Sequence, residues 1–330
     1  MSQPALSTAG VIYLALILTL TSIACVLVGC GPILTTNQDS VKERRYDNGQ
    51  LAIQATYSKD NKRDGLTKEW YENGNLKSKT SYVNGLIDGD MKEWYDNEEL
   101  KSQGSYKAGV KVGTHKTWYK NGQLASSIDY SDGKKDGKLI EYSDTNIKLK
   151  EEHYNNNKLD GVQKYWFSNG KLKGKGHSKD GVPHGKFDTY YENGNLQMRG
   201  EYNMGKAHGI QSTYFENGAK QSLVEYDNGI QTGVAKGWYI NGSKAAIGEY
   251  KDGKEDGKFT IWYPNGELKF VGKYKNGNKI GKHQFYSEDG FLYLEEQYNN
   301  NGEKDGTWNR YDKSGKIIES VKYKNDKLLK

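Results

Sequence analysis

Recurring aspartates are the residues of this chain whose type and spacing most readily suggest chemistry. Six of them precede a regularly spaced glycine: Asp64, Asp88, Asp136, Asp160, Asp256 and Asp305. A line of carboxylates could bind calcium or transfer protons. If each unit of 24 residues holds two strands, however, neighbouring carboxylates lie about 9.6 Å apart. One carboxylate per unit cannot supply the roughly six to eight oxygens of a calcium shell. We therefore interpret Asp-Gly as turn chemistry and expect no metal site.

Histidines offer a second possibility, because imidazole is both a metal ligand and a general base. His184 and His208 take the aspartate position in adjacent units, and should lie about 10 Å apart, too far to share a metal whose bonds are about 2 Å long. His115 and His283 each follow a regularly spaced glycine by two residues but are seven units apart. The sequence has no His-x-x-x-His, Gly-x-Ser-x-Gly or P-loop motif. We expect neither an enzyme nor a bound cofactor.

The glycines that set this spacing define the architecture. Ten of them are separated by nine equal steps of 24 residues, and Gly306 follows after one inserted residue. An internal repeat of this length predicts stacked units rather than the two globular domains that 330 residues would otherwise suggest. The structural glycines of the repeat are Gly65, Gly89, Gly113, Gly137, Gly161, Gly185, Gly209, Gly233, Gly257 and Gly281.

Each unit is predicted to contain two short strands and two turns. The first strand ends in an aromatic residue such as Trp70, and the Asn73-Gly74 pair predicts a tight type I′ hairpin turn. The next strand alternates, with Leu76 and Tyr82 on one face and lysines on the other. A glycine two residues before the closing position, such as Gly104, leaves room for a ring from the neighbouring strand. The expected fold is all-β, an extended, twisted, single-layer antiparallel sheet of about eleven 24-residue β-hairpin repeats.

Aromatic side chains are the candidate binding elements of this array. The chain has 26 Tyr and 7 Trp but a hydrophobic fraction of only 34%, so rings must supply most of the apolar burial. Rings often come in adjacent pairs, whose members should face opposite sides of the sheet. The outward rings would form an interaction stripe, unless they pack against the sheet's own curvature. The candidate interaction ladder is Tyr71, Tyr95, Tyr119, Tyr191, Tyr239 and Tyr263.

The N-terminal segment predicts export. Residues 1–29 contain no charged side chain, and Leu27-Val28-Gly29-Cys30 resembles the lipobox of bacterial lipoproteins. That resemblance implies cleavage before Cys30 and acylation of its thiol. Cys25 is a poorer lipidation candidate because Ser22, three residues earlier, is not aliphatic. The apolar run of about 20 residues, without a preceding Lys or Arg, could instead remain as an uncleaved transmembrane anchor.

The predicted organisation follows from these features. Residues 1–29 form the signal segment, 30–45 the lipidated cysteine and a linker, 46–326 the repeat array, and 327–330 a C-terminal tail. Departures from the repeat mark expected weak points. They are Glu98 in place of a turn glycine, Ser178 in place of a closing tyrosine, and a turn read as one residue longer within Tyr142–Leu149.

The repeat pattern Gly-x-x-x-x-Trp/Tyr-Tyr-x-Asn-Gly-x-Leu, followed by Tyr-x-Asn-Gly-x-x-x-Gly, resembles the MORN-repeat variant family over residues 46–326. The resemblance implies a curved, solenoid-like single-layer sheet of stacked hairpins. Bacterial members of this type include YwqK-type antitoxins, which are associated with secreted toxins, and eukaryotic arrays are linked to phospholipids and to protein scaffolding. It supplies an architecture and no catalytic residues.

Together these observations predict a membrane-anchored binding scaffold for another protein, with an antitoxin-like or immunity-like role as one possibility. The alternative is a surface module that binds phospholipid headgroups or glycans. We expect a bacterial cell envelope location through the N-terminal lipid, in the outer membrane if the cell has two membranes. Nucleic acid is not expected as a partner, because the net charge of +6 comes from lysines dispersed among Asp and Glu.

Overall fold

The computed structural model describes residues 40–329, and these form one antiparallel sheet of 28 strands with no helix among them. The first half of the strands are β1 (Ser40–Arg45), β2 (Leu51–Tyr57), β3 (Arg63–Trp70), β4 (Leu76–Val83), β5 (Leu86–Trp94), β6 (Leu100–Lys107), β7 (Val110–Trp118), β8 (Leu124–Ser131), β9 (Lys134–Tyr142), β10 (Lys148–Asn155), β11 (Lys158–Leu159), β12 (Gly161–Trp166), β13 (Leu172–Lys179) and β14 (Val182–Pro183). The second half are β15 (Gly185–Tyr190), β16 (Leu196–Asn203), β17 (Lys206–Tyr214), β18 (Lys220–Asp227), β19 (Ile230–Trp238), β20 (Lys244–Lys251), β21 (Lys254–Glu255), β22 (Gly257–Trp262), β23 (Leu268–Lys275), β24 (Asn278–Tyr286), β25 (Leu292–Tyr298), β26 (Gly306–Tyr311), β27 (Ile317–Lys324) and β28 (Lys327–Leu329).

Strands pair with their neighbours in the chain, so the predicted meander of hairpins is confirmed. β3 pairs with β4, β4 with β5, and the pattern continues to β27 and β28. The two-residue strands β11, β14 and β21 pair with the same strands as β12, β15 and β22. Each two-residue strand and the strand that follows it therefore occupy the same position in the sheet, as one interrupted strand. Within residues 40–329, every main-chain pairing between strands is local in sequence.

The repeat glycine produces a bulge at the start of each unit. All ten predicted structural glycines have positive φ, from 63° at Gly233 to 130° at Gly257. At the start of the second unit, Tyr82 pairs with Ile87 and Thr80 with Met91, so Ser81 faces the three residues centred on Gly89. A side chain at this backbone conformation would be strained, which explains the strict recurrence of glycine.

The two turns of each unit have different geometries, and this corrects the predicted turn type. At the first turn, the Gly74 amide donates to the Tyr71 carbonyl oxygen at 2.9 Å and the Tyr71 amide to the Asn75 carbonyl oxygen at 2.8 Å. Only Gly74 has positive φ, so this is a type I turn with a G1 bulge. The tight two-residue turn occurs instead at Asn84 and Gly85, where both φ angles are positive and Val83 pairs with Leu86.

One face of the sheet carries most of the buried side chains. The residue two places after a repeat glycine folds over a glycine of the preceding strand: His115 over Gly104, Phe187 over Gly176, Gln211 over Gly200, Phe259 over Gly248 and His283 over Gly272. A Cβ atom on Gly104 would lie 2.2 Å from His115 Nδ1. The predicted role of these glycines is confirmed, except that Gly200 is covered by an amide rather than a ring.

Two predicted boundaries and one predicted turn length are corrected. Ser40–Arg45, predicted as linker, is a strand paired with β2, and Lys327–Leu329, predicted as tail, is paired with β27. Main-chain pairing holds both segments without the aromatic residues by which the repeat was recognised. The turn after Tyr142 is not longer, because Tyr142 pairs with Lys148 just as Trp70 pairs with Leu76.

Replacing Glu98 by glycine should stabilise the protein. Glu98 takes the place of the turn glycine with a φ of 70°, a conformation that costs a non-glycine residue about 1–2 kcal/mol. After allowing for the extra chain entropy of glycine, we expect Glu98→Gly to raise the free energy of unfolding by about 0.5–1 kcal/mol, measured by urea denaturation. Glu99→Gly, one residue later and without positive φ, is the control and should be destabilising. Equal effects of the two variants would contradict this account.

Candidate binding surface

The tyrosines of the candidate ladder link each repeat to the next. The Tyr71 hydroxyl donates to the Trp94 carbonyl oxygen at 2.8 Å, and the Tyr263 hydroxyl to the Tyr286 carbonyl oxygen at 3.0 Å. Tyr95, Tyr119, Tyr191 and Tyr239 make the same bond, 23 residues along the chain, to Trp118, Tyr142, Tyr214 and Trp262. All six side chains are half-buried. These rings tie successive first turns together, and the interaction ladder stays a prediction.

Lysines cover several of these rings. The Nζ atoms of Lys77, Lys101 and Lys269 lie 5.7, 6.0 and 5.3 Å from the ring centroids of Tyr71, Tyr95 and Tyr263. Attraction between an ammonium group and a ring face holds each lysine stem against its ring. The sequence pattern places these lysines on the strand face opposite Leu76 and Tyr82, beside the outward rings, and the three lysines contact those rings.

The asparagine of the first turn has a structural role that the sequence pattern did not reveal. Asn73 Oδ1 accepts the Asn75 amide at 3.0 Å, and its Nδ2 donates to the Asp96 carbonyl oxygen of the next unit at 3.2 Å. Asn121, Asn193 and Asn265 repeat both contacts. Asparagine recurs here because one short amide closes its own turn and reaches the next turn, and not because it tolerates positive φ.

The aspartates before the repeat glycines cap turns, as predicted. Asp88 Oδ2 accepts the Ala108 amide at 2.9 Å, and Asp256 Oδ2 accepts the Asn276 amide at 3.0 Å. His184 takes the same role, with its Nδ1 placed 3.5 Å from the Met204 amide. Within residues 40–329, no group of three or more acidic, His or Cys side chains is placed to hold a metal ion.

His115 and His283 belong to the buried face. His115 lies between the rings of Tyr106 and Tyr130, with centroids 5.1 and 5.0 Å away, and its Nε2 is 3.0 Å from the Ser105 carbonyl oxygen. His283 is fully buried and has the same arrangement between Tyr274 and Tyr298. Burial lowers the pKa of both imidazoles. They fill the position that Phe259 fills elsewhere and are core residues.

A polar network replaces the aromatic column in the middle of the array. Glu152, which is 3% exposed, accepts hydrogen bonds from the Tyr154 and Tyr165 hydroxyls at 2.8 and 2.6 Å. Lys150 Nζ lies 3.0 Å from its carboxylate. Burial opposes ionisation, but these three donors together hold the pKa of Glu152 below its usual range. Ser178, where a closing tyrosine was expected, accepts a hydrogen bond from Gln163 at 2.8 Å.

A cleft of about 700 Å³ opens beside this network. Its walls are the rings of Tyr165, Phe167, Tyr190 and Tyr191, and Gly174 forms part of its floor. Gly174 pairs with Tyr165 on one side and Thr189 on the other. Other units have Ser78, Ser102 or Phe270 at this position. The sequence signal for the cleft was therefore a glycine where neighbouring units carry a side chain, and it was missed because Gly174 also fits a glycine-rich strand.

The fold and these contacts define an array of β-hairpin repeats joined edge to edge. The model of the MORN repeat variant family matches eight segments of the chain, which together cover more than half of it: 63–84, 87–108, 111–132, 159–180, 183–204, 207–228, 255–276 and 304–325. The chain belongs to the MORN repeat variant family. The resemblance predicted from the sequence is confirmed, and unmatched stretches such as 135–156 form hairpins of the same kind. MORN repeats generally bind proteins or membranes and are not typically enzymatic.

Comparison with solved structures adds little. The chain is 13% identical to "Crystal Structure of TcdB2-TccC3-Cdc42", with a TM-score of 0.18, covering 86% of this chain and 20% of the other. It is 14% identical to "Crystal Structure of TcdB2-TccC3 without hypervariable C-terminal region", with a TM-score of 0.17, covering 86% and 16%. The chain thus spans about a fifth or less of the length of these structures. No curated protein matches it.

Removing the hydroxyls of the ladder should destabilise the array. Tyr119→Phe, Tyr191→Phe and Tyr239→Phe together delete three hydrogen bonds between units, each contributing about 0.5–1.5 kcal/mol. We expect a loss of about 3 kcal/mol in the free energy of unfolding, measured by chemical denaturation with the folded spectrum retained. Tyr226→Phe is the control, since its hydroxyl bonds to no other residue within 40–329. A triple variant as stable as the parent would show that these bonds do not join the units.

Proposed function

We propose that this protein is a scaffold that binds another protein, and that the aromatic cleft is where the partner is anchored. The single observation that carries the proposal is the cleft of about 700 Å³ lined by Tyr165, Phe167, Tyr190 and Tyr191. Tyrosine-rich pockets near the centre of a surface are favoured anchors in protein interfaces. The general binding role of MORN repeats supports the proposal.

The composition of the cleft favours a protein side chain as its occupant. The cleft is lined by the rings of Tyr165, Phe167, Tyr190 and Tyr191 together with Lys173, Glu192, Gln197 and Glu216. Protein interfaces usually combine aromatic side chains with polar ones in this way. Tyr191 is the member of the candidate ladder that retains a binding role in this proposal, because its ring lines the cleft while its hydroxyl remains bonded to Tyr214.

Filling the cleft should abolish partner binding without unfolding the array. Phe270 occupies the position equivalent to Gly174 and is 8% exposed there, so the fold accepts a ring at this point. We expect Gly174→Phe to recover at most about a tenth of the partner that the parent recovers in a crosslinked pull-down read by mass spectrometry, because its ring occupies the anchor pocket. Gly174→Ser, which copies Ser78 and Ser102, is the control and should retain the partner.

The outcomes separate the candidate functions. One protein recovered at near-equal amount by the parent and lost by Gly174→Phe supports the scaffold, and a toxic protein among the partners would support the antitoxin-like role. The same protein recovered equally by Gly174→Phe would place the interface elsewhere. Recovery of lipid or wall fragments alone would favour the alternative, a module that binds phospholipid headgroups or glycans.

We also propose that Cys30 carries a lipid that holds the scaffold in the bacterial cell envelope. The motif Leu27-Val28-Gly29-Cys30 supports this. Cys30 lies outside the described residues. Residues 40–329 include no helix with the length and hydropathy of a membrane span.

Labelling of growing cells with an alkyne fatty acid tests the anchor. We expect the parent and Cys25→Ser to be labelled and Cys30→Ser to lose the label and its membrane association, because only the Cys30 thiol would be acylated. Label persisting on Cys30→Ser would contradict the assignment. An intact Met1 terminus in membranes, found by peptide mapping, would favour the uncleaved transmembrane anchor.

A further inference from the structure

Four lysines lie side by side on the face opposite the buried one. Lys68 on β3 pairs directly with Lys79 on β4, and Lys79 pairs with Lys92 on β5. Gln103 on β6 pairs with Lys92 and then with Lys116 on β7. Lys68, Lys79, Lys92 and Lys116, here called the lysine row, therefore cross five adjacent strands in one line.

The lysine row is not neutralised by the part of the chain that the structure describes. Among residues 40–329, none of its four ammonium groups lies within 4.0 Å of a carboxylate. Like charges directly opposite each other on adjacent strands are destabilising, and the row contains two such pairs. Residues 1–39 contain a single acidic residue, Asp39. The row is therefore free to bind an anionic group of another molecule.

The same line of positions is balanced further along the sheet. There Lys175 and Arg199 both pair with Asp188, whose carboxylate is 3.5 Å from Lys175 Nζ and 2.9 Å from Arg199 Nε. The Arg199 guanidinium lowers the pKa of that buried carboxyl group. Glu151, on the same line, pairs with Lys138 and Lys148 at 3.3 and 2.9 Å. The chain thus supplies acids within the line in these later units and leaves them out of the first three.

The residues around the lysine row favour a partner with a narrow line of negative charge over one with a flat anionic surface. Asp90, two residues before Lys92 on the same face, accepts a hydrogen bond from Ser105 at 2.7 Å. Asp129 accepts one from Thr114, two residues before Lys116, at 2.7 Å. A flat anionic surface would bring its charges against these carboxylates as well. On the other side of the row, Lys77 and Lys101 are directed onto tyrosine rings.

We propose that the lysine row binds an acidic α-helix of a partner protein, lying across the strands with one carboxylate per turn. Adjacent strands are about 4.8 Å apart and successive turns of a helix about 5.4 Å apart. Over the four gaps from Lys68 to Lys116 the mismatch is only about 2.4 Å, which flexible lysine side chains absorb. An extended acidic chain, with same-face residues about 6.7 Å apart, would drift by about 8 Å. This inference rests on the proposed protein-binding role but uses a different face from the cleft.

Peptide binding to the detergent-solubilised full-length protein tests the inference. The probe is a helical peptide with glutamate at every third or fourth position on one face. Its control has the same composition with the glutamates scattered around the helix. Lys79→Gln with Lys92→Gln should weaken the probe about tenfold, since each exposed pair contributes a modest energy. Lys220→Gln with Lys236→Gln, which removes the same charge from distant strands, should leave its affinity unchanged.

A second readout does not depend on the probe. Without ligand, Lys79→Gln with Lys92→Gln should unfold at a higher temperature than the parent, and the gain should shrink at high salt because the relieved repulsion is screened. Unchanged stability at low salt would contradict the claim that the row is under repulsion. Such a result would not bear on the cleft.

The remaining outcomes are equally decisive. Equal affinity for the scattered peptide, or unchanged affinity in the lysine variant, would overturn the inference. Binding of short-chain phosphatidylserine in preference to the peptide would assign the row to lipid instead. The Gly174→Phe variant should bind the probe as the parent does. If the pull-down with Gly174→Phe fails to lose a partner while the peptide still requires the lysines, the cleft proposal fails and this inference stands.

Discussion

A sheet of one layer has no opposing layer, so each buried side chain must be covered by residues of the neighbouring strands. This constraint determines the repeat. In five units the side chain two residues after the repeat glycine lies over a glycine of the preceding strand, as His115 does over Gly104. The positive φ of the repeat glycine produces the bulge at the start of the unit, and the bulge directs the side chain two residues later toward the preceding strand. The Tyr71 hydroxyl and the Asn73 amide then fix adjacent first turns to one another.

Much of this fold can be predicted from the sequence, because the same pattern of residues recurs in every unit. The spacing of glycines predicts the hairpins, and the glycines before the closing tyrosines predict where rings lie flat. The sequence does not distinguish the two Asn-Gly turns of a unit. Asn73-Gly74 and Asn84-Gly85 have identical residues, and only the register of the flanking strands makes the first a bulged turn and the second a tight one.

The candidate binding residues were harder to predict, for a related physical reason. The second ring of an adjacent pair is predicted to face outward, yet the pairing register shifts between Glu69 and Trp70, and the hydroxyl of the following Tyr71 donates to the Trp94 carbonyl oxygen of the next unit. Side chains alternate between the two faces only in an unbroken strand. Each unit has two register shifts, one at the repeat glycine and one beside the aromatic residue that ends the first strand. The cleft escaped prediction for the opposite reason. Gly174 does not stand out in the sequence pattern, and the cleft at this glycine is recognised only once the surrounding rings are placed in three dimensions.

The departures from the repeat show how this fold accepts function. Glu152 and Glu296 both replace a glycine of the buried face, and each is held by a tyrosine hydroxyl at 2.8 Å and by a lysine. A buried carboxylate is stable only when its oxygens are satisfied, so a substitution on this face requires matching partners in adjacent strands. On the opposite face the lysines reach solvent at least in part, whereas the buried Asp188 is held by Lys175 and Arg199. Charges there can be balanced, as around Asp188, or left unbalanced, as along the lysine row, without altering the hairpins. Side chains on the face opposite the buried one can therefore change to suit a binding partner, while the buried face keeps the hairpins packed.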